Sequence, residues 1–196
     1  MRPEGIVIRG CVVGVVVLLD VDGVLNAMSG DEPPTPTSWT DWRRGHANGF
    51  NLWVSPSMAR AVADLGDVRW LTTWNVDGKV NLDIVPLVGI GPFPVAATPT
   101  PLPDEVPPGG TAARADADPP WLWKPRAVAD ALDEGHRVVW FDDESEDLWQ
   151  DWLDVHPRFR RSPRLFRHAP YPDVGLLVED CQRAAQWVEE GRRRLW

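Results

Sequence analysis

"VVVLLDVDGVLNA", Val15 to Ala27, is the stretch on which the reading of this chain turns. A run of valine and leucine without polar alternation fits a strand buried on both faces, as in a parallel sheet. It stops abruptly at Asp20 and Asp22, with Gly23 behind them. Asp and Gly are ordinary turn residues, so an acidic turn is the plain reading. The sharper reading is a metal-dependent phosphoryl-transfer site. Residues i and i+2 at a strand end face the same side, so both carboxylates can aim at one point, and Gly23 lets the chain turn away closely.

The same grammar recurs downstream. "DVRWLTTWN" reads as a second strand ending near Thr72, and "RVVWFDDE" as another that ends in Asp142, Asp143 and Glu144. "FPVAA" is a short strand between them and "RLFRH" a last one. Helices separate these strands. "SPSMARAVADLG" has Ser55 as cap, Pro56 in the first turn and Gly66 at the end. A short helix falls within 76–88. "KPRAVADALDEGH" starts at Pro125, "SEDLWQDWLDVH" follows the acidic strand end, and "VEDCQRAAQWVEEGRRR" closes the chain with basic residues where the helix dipole favours them. Strand–helix alternation predicts an α/β fold, a Rossmann-like three-layer arrangement around a mostly parallel sheet. In such sheets ligands bind beyond the carboxyl ends of the strands. Asp20, Thr72 and Asp142 all fall there.

The 196 residues suit one domain spanning 1–196. Residues 1–11 read as a tail, 24–54 as a flap or insert that is irregular over 29–50, and the proline-rich 98–120 as a loop. The formal net charge of -9 argues against a surface that tracks nucleic acid along its whole length. Cys11 and Cys181 match no zinc or redox spacing and read as small buried residues of a reducing cytoplasm. The apolar N-terminal run is too short, and too interrupted by Arg9, to span a bilayer. A cytoplasmic protein without membrane contact is the expectation.

Two carboxylate clusters at neighbouring strand tips repel unless a cation lies between them. Oxygen-only donors select a hard ion, most plausibly Mg²⁺. Thr72 adds a hydroxyl at a third tip, with Thr73 as the alternative. Lys124 precedes Pro125, which favours an extended residue just before a helix N-terminus. A cation and a helix N-terminus together suit a phosphate.

In this order, "LLDVDGVLN", "VRWLTTWN", "WKPR" and "VVWFDDE" resemble the four motifs of the haloacid dehalogenase-like (HAD) superfamily, over about residues 12–190. More narrowly, "LLDVDGVLN" with "WLTTW" is similar to small HAD domains of actinobacteria associated with RNA-repair proteins. The resemblance implies a Mg²⁺-dependent phosphomonoester hydrolase working through an aspartyl-phosphate. Asp20 would be the nucleophile and Asp22 the acid and base. Thr72 would hold a phosphoryl oxygen, and Lys124 would offset charge. Asp20, Asp22 (through its main-chain carbonyl), Asp142 and Asp143 would form the metal site. An Asp at the second position resembles the phosphatases of that superfamily; its ion-pumping ATPases carry Thr there, and its dehalogenases lack that acid.

The expected partner is a phosphorylated substrate. The inserts at 24–54 and 98–120 are too short for a separately folded cap, which leaves the site open. An open site admits a bulky substrate, so a polynucleotide end-healing phosphatase is one alternative. Its support is Arg158, Arg160, Arg161, Arg164 and Arg167 in "RFRRSPRLFR", otherwise a solvated face. A catalytically idle HAD-like binding module is the alternative of another class. Glu144, Glu146 and Asp147 read as helix N-terminal acids, Trp74 and Trp121 mainly as core or rim, and His46 as the histidine to watch.

Overall fold

A computed structural model describes residues 14–47, 49–75, 79–99 and 118–193. In chain order the elements are β1 (Val15–Leu19), β2 (Arg43–Ala47), β3 (Phe50–Val54), α1 (Pro56–Ala63) and β4 (Asp67–Trp70). Two single-turn helices follow, α2 (Val80–Asp83) and α3 (Val85–Val88). After them come α4 (Trp123–Asp133), β5 (Arg137–Phe141), α5 (Ser145–Val155), β6 (Leu165–His168) and α6 (Val178–Arg193). Strands β4, β1, β5 and β6 lie in that order in one sheet, and every pairing in it is parallel. Strands β2 and β3 make a separate antiparallel hairpin.

Helices cover both faces, which is why β1 shows no polar alternation. Val15, Val17 and Leu19 pack with Met58 and Val62 of α1 and with Ala184 and Val188 of α6. Val16 and Leu18 pack on the opposite side with Val128 and Leu132 of α4 and Trp149 and Trp152 of α5. Burying each of these Val or Leu side chains contributes about 1.5–3 kcal/mol, so every residue of β1 favours this placement. The result is the expected three-layer α/β architecture.

Local chemistry sets the element ends. Ser55 caps α1, its Oγ accepting from the Met58 amide at 3.1 Å. Asp41 adds a second cap, accepting from the Ser57 amide at 2.9 Å. Gly66 serves a close approach: a Cβ there would lie 2.4 Å from the Val15 carbonyl oxygen, so a side chain would push β4 away from β1. Cys181 is buried in α6, and burial pushes its thiol up to about 12, consistent with a packing role. Cys11, the 1–11 tail and most of the proline-rich loop lie outside the described residues. Among the described residues no helix is long and apolar enough to cross a membrane.

Several expectations need correction. The 29–50 stretch is not irregular throughout, because its end builds the β2–β3 hairpin. "FPVAA" is not a strand; it makes one bridge, Val95 to Trp70. The Trp70 amide donates to Pro94 O and the Ala96 amide to Trp70 O, both at 2.8 Å. Pro92 and Pro94 have no N–H with which to extend that ladder. Lys124 is not extended before a helix but lies in the first turn of α4. A 3₁₀ turn, Pro120–Leu122, runs directly into α4, and Pro125 falls where a helix needs no amide donor.

Candidate active site

The chain leaves β1 toward the α1 face of the sheet and leaves β5 toward the α5 face. Their carboxyl ends therefore form a switch point, where such sheets open a crevice. Asp20 stands at one tip and Asp142 at the other, and the Asp20 amide donates to Phe141 O at 3.0 Å. Lys124 reaches between them. Its Nζ lies 2.5 Å from Asp20 Oδ2 and 2.8 Å from Asp142 Oδ2. All three are buried, Lys124 4% exposed, Asp20 6% and Asp142 0%. Asp20 Oδ1 accepts from the Val21 amide at 2.7 Å, and Asp142 Oδ1 from the Glu144 amide at 3.0 Å.

Asp143 completes the cluster. One carboxylate oxygen from each of Asp20, Asp142 and Asp143 falls within 4.8 Å of the others. Gly23 makes this possible: at φ +68, a Cβ on it would sit 2.6 Å from the Asp143 carboxyl carbon. The glycine of the opening stretch is thus a vacated position into which the Asp143 side chain packs.

Negative charge exceeds positive in this space. Burial pushes the Asp142 carboxyl up to about 7, with the Asp20 charge adding to the rise and Lys124 opposing it. Burial likewise pushes Asp143 up to about 6, helped by Asp20 and Glu144. Burial works against the Lys124 charge, but the Asp20 and Asp142 carboxylates outweigh it and hold the ammonium above its ordinary value. Three crowded carboxyl groups, of which Asp142 and Asp143 resist ionisation, with one ammonium among them form a set that a further cation would relieve.

Asp22 faces elsewhere, which corrects the expectation of two carboxylates aimed at one point. Its Oδ1 accepts from Asn26 Nδ2 and its Oδ2 from Trp74 Nε1, both at 2.8 Å. The period-2 rule holds only within a strand, and β1 ends at Leu19, before either aspartate. Asp22 lines a cleft of about 520 Å³ with Asn26, Met28, Gly30, Phe50, Asn51, Thr73 and Trp74. The β2–β3 hairpin forms one wall of it.

Thr72 follows directly on the residue level with Asp20, because Trp70 pairs with Leu19 and the Leu71 amide donates to Leu19 O at 2.9 Å. It is buried, and its hydroxyl oxygen accepts from the Trp74 amide at 3.4 Å. Thr73 is exposed on the cleft. No protein-family profile, curated protein or solved structure matches this chain. The chemistry of the site has to be read from its own residues.

Those residues fit a small hard cation. Octahedral Mg²⁺ takes oxygen donors at about 2.0–2.1 Å, which puts opposite donors about 4.2 Å apart. One oxygen from each of the three carboxyl groups lies within 4.8 Å of the others, so the three could share one such ion. Glu144, Glu146 and Asp147 lie at the start of α5, as helix N-terminal acids should. Trp121 is exposed, and His46 sits on β2 with Nδ1 3.4 Å from Asn51 Oδ1.

Asn26 went unrecognised in the sequence. It is 4% exposed, holds Asp22 through Nδ2, and accepts from the Trp53 amide of β3 at 2.9 Å through Oδ1. Its signal was its place four residues after Asp22, across the turn made by Gly23. Trp74, expected as core or rim, orients Asp22 through its indole N–H.

Proposed function

We propose that the protein is a Mg²⁺-dependent phosphomonoester hydrolase that works through an aspartyl-phosphate on Asp20, as the HAD-like motifs imply. The observation that carries this reading is the buried Asp20–Lys124–Asp142 bridge beside Asp143. Burying the three charged groups of that bridge costs several kcal/mol per ion before pairing, and a fold with no use for them would be as stable with apolar residues there.

Asp20, Asp142 and Asp143 would hold the ion with their carboxylates and Asp22 with its main-chain carbonyl. Bound there, Mg²⁺ supplies positive charge that lets a phosphate dianion approach a carboxylate. Asp20 attacks phosphorus, and the bond from phosphorus to the ester oxygen breaks. The Asp22 carboxyl gives its proton to the departing alkoxide, which leaves as an alcohol. Water then attacks the phosphorus of the aspartyl-phosphate and passes a proton to the Asp22 carboxylate. Inorganic phosphate departs and Asp20 is a carboxylate again. Thr72 has a free hydroxyl proton to donate to a phosphoryl oxygen, since its oxygen already accepts from Trp74. Lys124 stays charged throughout and balances Asp20 and the phosphoryl group.

The nucleic-acid-end alternative gains no support from position. Arg164 carbonyl accepts from the Val138 amide at the amino end of the sheet, and the arginines on either side of it share that end except Arg167, which pairs with Glu146.

The test is phosphate release from a panel of phosphomonoesters with Mg²⁺ and with EDTA. Metal-dependent release is expected, and Asp20→Asn should lower it to at most a few per cent while leaving the fold intact. Failure of the wild type to hydrolyse any ester while still binding Mg²⁺ would leave the idle-module reading standing instead.

A further inference from the structure

Resting on the hydrolase reading above, we infer that the leaving group is an uncharged alcohol bearing a flat aromatic group, held in the cleft between Asp22 and the β2–β3 hairpin. The volume, about 520 Å³, is in the range that encloses a small-molecule ligand. On that reading Asp22 protonates the leaving oxygen, and Asp22 lines this cleft, so the departing alcohol would be received there.

Charge narrows the occupant. Among the described lining residues none is a lysine, an arginine or a histidine. Arg44 on the hairpin turns its guanidinium onto Asp31 at 2.6 Å. A leaving group with a second phosphate or a carboxylate would meet no cation among the described lining residues to offset its charge. Sugar bisphosphates and polynucleotide ends, which place a further anion next to the scissile ester, fit poorly.

Apolar surface narrows it further. Phe50 is 66% exposed and Met28 57% exposed, and both lie on this one cleft with Trp74. Large apolar side chains gathered on a concave surface mark a binding face. Aromatic rings and a methionine sulfur favour a flat π-system over an alkyl chain. The wall is also fixed in advance. Trp53 donates its amide to Asn26 Oδ1 at 2.9 Å and its indole N–H to Gly30 O at 3.1 Å, and Asn51 Nδ2 donates to Asp31 at 3.2 Å. The hairpin presents Phe50 without paying to order a loop at binding.

Esters of primary alcohols isolate the effect, because their leaving groups are similarly basic. Phenethyl phosphate and adenosine monophosphate carry uncharged aromatic leaving groups. Butyl phosphate is aliphatic, phosphoglycerate is anionic, and adenosine bisphosphate is aromatic but anionic. Both aromatic, uncharged esters should exceed butyl phosphate in kcat/KM by about tenfold, and the two anionic esters should fall below their uncharged counterparts. The better of phenethyl phosphate and adenosine monophosphate tells a simple aryl alcohol from a nucleoside. Phe50→Ala, at an exposed site that the fold does not need, should narrow the aromatic-to-butyl gap through KM. Equal kcat/KM for the aromatic and butyl esters, a preference for the bisphosphate, or a gap that Phe50→Ala leaves unchanged overturns this inference alone. Release of phosphate from none of the esters overturns the hydrolase reading and this inference with it.

Discussion

The two ends of the parallel sheet carry charge in opposite ways. At the carboxyl end, Asp20, Lys124, Asp142 and Asp143 converge from three separate segments, three of the four nearly inaccessible to water. At the amino end, "RFRRSPRLFR" packs its arginines densely in sequence and, Arg167 apart, spreads them over the surface. Arg158 pairs with Asp133 at 2.8 Å, with both side chains more than half exposed, while Arg160 and Arg161 are exposed. Exposed pairs contribute about 0–1 kcal/mol, whereas a buried pair that loses a partner leaves an uncompensated ion behind. Charge density along the chain is therefore a poor guide to where electrostatics matters. Burial of a few charges brought together from distant segments is a better one.

Removing the single ammonium breaks this contrast most severely. Lys124→Met leaves Asp20 and Asp142 facing each other, and it should lower stability at alkaline pH by about 3–5 kcal/mol. The loss should shrink as pH falls and the carboxylates take up protons. Denaturant unfolding of wild type and variant at several pH values measures it. A pH-independent loss would mean that lost packing, not charge, is responsible.

Metal and pH probe the same end next. The raised carboxyls of Asp142, about 7, and Asp143, about 6, retain protons that the unfolded chain has lost above its ordinary value of 3.8. The unfolded state binds fewer protons across that window, so these groups make metal-free stability fall as pH rises from about 4 to about 7. Below that window the lowered carboxyls of Asp41, Asp118 and Asp180 act with the opposite sign, and stability falls with further acid. Mg²⁺ should flatten the neutral limb, and at a hundred times its Kd it should add about 2.7 kcal/mol. Thermal melts with Mg²⁺ and with EDTA across this range read both effects. A neutral limb unchanged by Mg²⁺ would remove the metal from the site.

The amino end should respond least. Arg160→Ala and Arg161→Ala should each change stability by at most about 0.5 kcal/mol and leave phosphate release unaltered. A marked loss of activity toward a polynucleotide end, but not toward small esters, would reverse the comparison and revive the nucleic-acid alternative.

Much of the carboxyl end was legible in advance, because backbone physics places it. A five-residue apolar strand must be covered on both faces, and a parallel sheet presents its functional residues at strand ends. Asp20, Asp142 and Asp143 follow from that. Lys124 could be picked out as well, although its backbone state could not. The bias against helix before proline is weak beside a 3₁₀ turn that already sets the direction of α4 and an ammonium that two carboxylates hold. Asn26 carried no comparable signal, since its value lies in bonding Asp22 and β3 at once.

By itself, then, the sequence determined the alternation of elements, the three-layer α/β architecture and the identity of the acidic strand tips. These rest on local rules: periodicity, capping and the burial of apolar runs. Tertiary structure decided the rest. It separated Asp22 from the Asp20 cluster, turning the one toward Asn26 and Trp74 and the other toward Lys124. It reduced "FPVAA" to one bridge, and it raised a hairpin from residues 43–54 to wall the cleft. Each depends on which distant groups complete a hydrogen bond or neutralise a charge, and those pairings are properties of the folded arrangement that no local stretch of chain contains.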